Sequence, residues 1–143
     1  MIKENCICII GGAGHIGAPL GLALSSKGYN VILVDKNKKN IKIINQGQMP
    51  FVEEKCAKLL KKMIYKKKIF ATNKLDEVRK SKYIIVCIGT PVNNKFNPNL
   101  KNFINFFYDL RKHLTKNHVI IIRSSIYPGI CNKVYSIVKN YCK

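Results

Sequence analysis

Residues 11–17 read Gly-Gly-Ala-Gly-His-Ile-Gly. The glycine spacing in Gly12-Ala13-Gly14-His15-Ile16-Gly17 suits one chemistry in particular, the holding of an anion against unpaired backbone N–H groups. A short apolar run, Cys6 to Ile10, precedes the turn, and a helix pattern opens from it. In that setting Gly12 permits a tight turn, and Gly14, lacking a side chain, lets the backbone approach a pyrophosphate. Gly17 lets the helix pack close to the strand, and Gly21 extends that contact one turn on. N–H groups at the helix start face the phosphates, with the helix dipole behind them.

A second apolar strand, Val31 to Val34, ends at Asp35, about twenty residues beyond the turn. A carboxylate there accepts hydrogen bonds from ribose hydroxyls and repels a 2′-phosphate. The expected cofactor is therefore NAD rather than NADP, although the cations Lys36, Lys38 and Lys39 pull the other way. Thr90 and Ser125 follow the fourth and fifth strands. Carboxyl ends of parallel strands are where open α/β sheets bind ligands. Their plain structural readings are a Thr-Pro turn and a cap.

Strand and helix patterns alternate along the whole chain. After the first strand comes a helix from about Ile16 to Lys27, stopped by Gly28. Pro19 falls near its fifth position, where the ring would crowd the His15 carbonyl, so a late start or a bend is expected. A helix from Lys38 to Asn45 ends at Gly47. Another, from Glu53 to Met63, turns Cys56, Leu59, Leu60 and Met63 inward. Ile69 to Thr72 reads as the third strand, 76–80 as a helical turn, and Tyr83 to Ile88 as the fourth strand. Beyond a loop at 89–99, Leu100, Phe103, Ile104, Phe107, Leu110 and Leu114 mark an amphipathic helix. Val119 to Ile122 is the fifth strand. A last helix presents Cys131, Val134, Tyr135, Val138, Tyr141 and Cys142 on one face and runs to the end. The expected fold is one Rossmann-like domain over 1–143, a doubly wound parallel sheet of order 3-2-1-4-5.

At 143 residues the chain suffices for one cored domain. Its +19 charge rests on 26 basic residues, of which only Arg79, Arg111 and Arg123 are arginine. A Lys, Asn and Ile bias of this kind fits an AT-rich genome. No nucleic-acid-binding motif accompanies the charge, so no nucleic-acid partner is expected. No apolar run nears the ~20 residues that cross a bilayer, and no signal peptide is visible, so a cytoplasmic location without a membrane partner is expected. Cys6, Cys8, Cys56, Cys87, Cys131 and Cys142 lack zinc-knuckle spacing and read as small apolar residues; no metal is expected.

Four segments together carry a family likeness. Residues 11–21, Gly-Gly-Ala-Gly-His-Ile-Gly-Ala-Pro-Leu-Gly, resemble the opening of the UDP-glucose/GDP-mannose dehydrogenase family. Residues 44–50 with Glu53 are similar to its Ile-Asn-x-Gly-x-x-Pro-x-x-Glu stretch, 89–92 to its Thr-Pro turn, and 123–129 to its Ser-Thr-Val-x-Pro-Gly turn. Within the family the chain looks most like the UDP-N-acetylhexosamine branch. The resemblance implies oxidation of a UDP-sugar C6 alcohol to a carboxylate in two NAD-dependent steps, through a thiohemiacetal on a cysteine. It also implies a homodimer or higher assembly.

By the same resemblance Gly12, Gly14 and Gly17 match the pyrophosphate turn, Asp35 holds the ribose, and Thr90 lies near the cofactor; His15 and Ile16, inside the turn, are expected to bind the cofactor as well. Ser125, in place of a threonine, faces the nicotinamide and the reaction centre, which makes it the candidate catalytic residue. His15 replaces a common Tyr, and Asn40 stands five positions beyond the acid where a basic residue is usual. The likeness covers the first third or so of a family member. The expectation is thus that the central and C-terminal domains, with the nucleophilic cysteine, are absent and that this chain binds cofactor without turnover. A stand-alone NAD-binding sensor or subunit module is the alternative; such a module should close its last helix with a polar face or cap, which the pattern here does not do.

Overall fold

The computed structural model describes residues 2–53, 56–89 and 100–141. Five strands form one parallel sheet: β1 Lys3–Ile10, β2 Asn30–Val34, β3 Ile69–Thr72, β4 Ser81–Val86 and β5 Val119–Ile122, in the order β3-β2-β1-β4-β5. Helices α1 Gly17–Ser26, α2 Lys38–Asn45, α3 Cys56–Tyr65, α4 Lys101–Leu110 and α5 Ile130–Val138 cover it. The expected order and parallel pairing are those observed.

Strand alternation sends apolar side chains into two cores, one on each face of the sheet. Cys6, Cys8, Ile10, Ile32, Val34, Ile84 and Val86 pack with Phe103, Phe107 and Leu110 of α4 and Val134, Ile137 and Val138 of α5. Ile7, Ile9, Val31, Leu33 and Ile85 pack on the other side with Ala18 and Leu22 of α1 and Leu60 and Met63 of α3. β5 is an edge strand with one face covered: Ile120 and Ile122 meet the first core, while Val119 and Ile121 are 43% and 44% exposed.

The first three helices end in the same way. Gly28 N–H donates to Ser25 O and Tyr29 N–H to Leu24 O, at 3.1 and 3.4 Å, with Gly28 at φ +101°. Gly47 (φ +76°) repeats the pattern with Ile44 O and Ile43 O. This double bond around a left-handed residue is the Schellman stop. At the end of α3 the left-handed residue is Lys67, φ 54°, with bonds to Ile64 O and Met63 O.

Several boundaries differ from expectation. Because α1 begins only at Gly17, Pro19 lies in its first turn, where its missing N–H costs nothing; of the two expected accommodations, the late start is the one adopted. β4 begins two residues early, at Ser81, whose buried hydroxyl donates to Val78 O at 2.8 Å, and it ends at Val86, leaving Cys87 beyond the strand. The 76–80 turn and residues 111–113 are 3-10 helices.

The last helix is corrected most. α5 stops at Val138, and its buried face is Val134, Ile137 and Val138, with Cys131 exposed and Tyr135 65% exposed. A single helical stripe through 131, 135 and 142 pointed to a face rotated from the real one. That inward face is covered by α4 and the sheet. Cys142 lies outside the described residues.

Among the described residues no helix is long and apolar enough to cross a membrane, and no group of three or more His, Cys, Asp or Glu could hold a metal ion. The described cysteines are unpaired. Burial pushes the Cys8 and Cys6 thiols up, against a smaller downward pull of Lys3 on Cys6.

Candidate functional site

All the described candidate residues lie at the carboxyl ends of the strands. The strand order reverses between β1 and β4, which makes the crevice there the switch point of the sheet. The glycine turn leaves β1, Asp35 ends β2, and the segments after β4 and β5 form the opposite wall.

The turn is built by close backbone approach. Gly11 (φ +74°) is the left-handed residue, and a Cβ on it would sit 2.6 Å from Cys87 O. The tight-turn role expected of Gly12 therefore belongs to Gly11. Gly12 is glycine because a Cβ there would lie 2.7 Å from Ile9 O and 2.8 Å from Leu33 Cα. Gly17 packs against the backbone of Gly11 and Gly12 rather than against a strand. Helix-on-sheet contact falls instead to Gly21, where a Cβ would meet Leu33 Cδ2 at 2.6 Å.

Gly14 is different. Among the described residues a Cβ there would meet only Gly11 O, at 3.4 Å, and otherwise open space. None of them demands glycine at this position. Val34 O accepts from Gly11 N–H and Gly12 N–H at 2.9 and 3.1 Å, and Gly11 O accepts from Gly14 N–H at 3.2 Å. Among the described residues, no acceptor faces the N–H groups of His15, Ile16 and Gly17. Unpaired donors at a helix N-terminus beside a side-chain-free position make a cradle that fits a pyrophosphate.

Asp35 is half-buried and tied to the turn. Its Oδ2 accepts from Ala13 N–H at 2.9 Å and its Oδ1 from Asn37 N–H at 2.9 Å. Each oxygen keeps acceptor capacity for a diol. The sequence pattern marks the acid but not its bond across 22 residues to Ala13, which also orients the turn.

His15 is exposed and stacks on Phe51, with ring centroids 4.1 Å apart and planes at 29°. The segment after Pro50 is thereby brought over the glycine turn, a contact that the spacing of 44–53 did not reveal. Ile16, 47% exposed, lines a cleft of about 140 Å³ with Cys87, Ile88, Gly89, Arg123, Ser124 and Ser125. Two candidates from separate segments, Ile16 and Ser125, thus share one cleft. Arg123 N–H and Ser124 N–H both donate to Val86 O, at 2.9 and 3.1 Å, which sets the β5 exit against β4.

Cys87 and Arg123 are cleft residues that the sequence reading missed, Cys87 because it read as a strand interior. Burial raises the Cys87 thiol pKa, and Arg123 draws it partly back. A raised pKa makes a weak nucleophile, in keeping with the structural role first read for this cysteine. Thr90 lies outside the described residues.

Residues 5–143 match the family described as UDP-glucose/GDP-mannose dehydrogenase family, NAD binding domain. GDP-mannose 6-dehydrogenase of Pseudomonas savastanoi pv. phaseolicola is 34% identical over 137 residues, covering 90% of this chain and 31% of that protein. UDP-glucose 6-dehydrogenase of Rickettsia prowazekii is 28% identical over 129 residues, covering 90% and 30%. A solved UDP-D-ManNAc dehydrogenase from Pyrococcus horikoshii superposes with a TM-score of 0.87 at 26% identity, covering 95% of this chain and 32% of that one. The chain thus spans about a third of the length of these relatives. Their names cover three different nucleotide sugars at comparable identity, and no single sugar branch stands out.

Proposed function

Since the chain belongs to the UDP-glucose/GDP-mannose dehydrogenase family, we propose that it is the NAD-binding part of a nucleotide-sugar 6-dehydrogenase. In this reading the whole enzyme oxidises the C6 alcohol of a UDP-sugar to a uronate in two NAD-dependent steps. It works in the cytoplasm as a homodimer or larger assembly.

The observation that carries the reading is Gly14. Its missing side chain leaves space over three N–H groups at the start of α1 that are unpaired among the described residues, and no packing need among those residues explains it. NAD, when bound, supplies the hydride acceptor. The chain's own residues bind and orient it. Gly12 and Gly17 let the turn close, and Gly14, His15 and Ile16 present backbone to the pyrophosphate. Asp35 accepts from the adenosine ribose hydroxyls. Ser125, on the cleft wall, faces the nicotinamide side, and by the family resemblance Thr90 lies near the cofactor.

This chain alone binds the cofactor without turning it over, because none of its cysteines stands at the family's nucleophile position. Titration calorimetry with NAD and NADP, followed by a turnover assay with UDP-sugars, tests both statements. The expected result is NAD binding, tighter than NADP, and no NADH. Production of NADH by the chain alone overturns the second statement, and absence of dinucleotide binding overturns the first. NAD binding with no activity even beside the remainder of such an enzyme would favour a stand-alone sensor module.

A further inference from the structure

Hydrogen bonds close a ring between the glycine turn and the start of α2. Ala13 N–H donates to Asp35 Oδ2 (2.9 Å), and Asn37 N–H donates to Asp35 Oδ1 (2.9 Å). Asn40 N–H donates to Asn37 Oδ1 (3.1 Å), and Asn40 Nδ2 donates to Ala13 O (3.1 Å). Ala13, 1% exposed, is therefore held by both its N–H and its C=O.

The ring departs from ordinary helix capping in one respect. In a capping box the side chain at the third helical position turns back to the N–H of the cap residue. Here Asp35 takes that N–H from Asn37, which frees Asn40, the third residue of α2, to reach across to the turn. A long basic side chain at this position would have no reason to stop at Ala13 O. A short amide does, and it is the ring's only link from α2 back to the turn.

Around the ring stand Lys36, Lys38 and Lys39, all exposed, while Asp35 and Asn40 are half-buried. Three ammonium groups beside the ribose acid attract a 2′-phosphate. If the Asp35 carboxylate could rotate aside, the local charge would favour NADP. It is fixed by one backbone donor on each oxygen, and the donor on Oδ2 is in turn fixed by Asn40.

We propose that Asn40 is a positioning residue that sets dinucleotide selectivity, by locking the Ala13 peptide so that Asp35 keeps facing the ribose diol. The inference rests on reading the turn as a dinucleotide site. The lock excludes the 2′-phosphate by holding the acid in place, and the lysines supply attraction only to the rest of the cofactor.

The test compares the chain with Asn40→Leu, which is nearly isosteric but lacks the donor, with Asn40→Ser, and with Asn40→Gln, which restores an amide. Calorimetric Kd values for NAD and NADP are the readout, beside amide exchange at Ala13. In Asn40→Leu the ratio of NADP to NAD dissociation constants is expected to fall about tenfold, the size of one lost hydrogen bond. Ala13 exchange is expected to quicken, and Asn40→Gln to recover most of both effects. Asn40→Ser gives the same comparison if the leucine variant does not fold. An unchanged ratio, even with both affinities weakened equally, overturns the proposal and leaves the site reading intact. Failure of the unaltered chain to bind either dinucleotide overturns the site reading, and the proposal falls with it.

Discussion

Asn45 pairs with the peptide groups of Ala71 as if it were a further strand: its Oδ1 accepts from Ala71 N–H and its Nδ2 donates to Ala71 O, both at 2.8 Å. β3 is an outer strand, and its unpaired edge groups need partners or shielding. The next residue, Thr72, accepts from Asp35 N–H at 3.0 Å, so the contact braces the strand that supports the ribose acid. Asn45→Ala is expected to cost roughly 1–3 kcal/mol, the worth of two partly buried hydrogen bonds. It should also weaken NAD binding, measured by thermal melting and calorimetry on one preparation. A variant that keeps its melting temperature would show that the edge pairing adds no stability.

Gly14 and Gly17 should respond in opposite ways to the same substitution. Gly14→Ala meets only Gly11 O at 3.4 Å, so the fold is expected to keep its stability or gain up to about 1 kcal/mol from reduced freedom of the unfolded chain. Its NAD affinity should drop more than about tenfold, because the methyl fills the cradle. Gly17→Ala drives a Cβ into the Gly11 carbonyl and is expected to unfold or strongly destabilise the domain before any ligand is added. Full NAD affinity in Gly14→Ala would remove the main support for the cofactor site.

Lys67 holds a left-handed conformation, φ 54°, at the position where α1 and α2 use Gly28 and Gly47. An L side chain there costs on the order of 1–2 kcal/mol, partly offset by its lower freedom in the unfolded chain. Lys67→Gly is thus expected to stabilise by roughly 0.5–1 kcal/mol, read as a higher denaturant midpoint at unchanged slope.

Arg79 Nε donates to His113 Nδ1 at 3.3 Å, and an Arg79 terminal nitrogen donates to Lys112 O at 2.9 Å. Partial burial, and then the Arg79 charge, lower the His113 pKa below its ordinary 6.5. The unfolded chain therefore binds the proton more readily than the folded one. Stability tied to neutral His113 is fully present above pH 6.5 and is lost as pH falls from there through the lower pKa of the folded state. Melting curves from pH 7.5 to 5.5 should fall less steeply for His113→Gln than for the unaltered chain; parallel curves would rule the contribution out.

The sheet order and the glycine turn were legible because they rest on short-range patterns: buried strands of Ile, Val and Cys, and glycines at fixed spacing beside an acid. What stayed hidden was made by residues distant in sequence. Nothing local to Asp35 announces Ala13, and nothing in 44–53 announces that Phe51 meets His15. The turn and packing roles expected of the glycines shift by position, because only the folded backbone shows that Gly11 carries the positive φ and that Gly21 meets Leu33. On α5 the tyrosines misled. Tyr135 has enough apolar surface to read as inward, yet Ile137 takes the buried place and Tyr135 stands in solvent.

The contrast between the glycines also bears on how such a sequence drifts. Gly12 and Gly17 are demanded by neighbouring backbone atoms, so they persist in any descendant that still folds. Among the described residues nothing demands Gly14. A lineage released from selection for the ligand could replace it at little penalty to folding, while the other two stayed locked. Comparing the mutational tolerance of position 14 with that of position 17, under selection for folding alone and then for cofactor capture, would therefore separate the two pressures at neighbouring residues of a single turn.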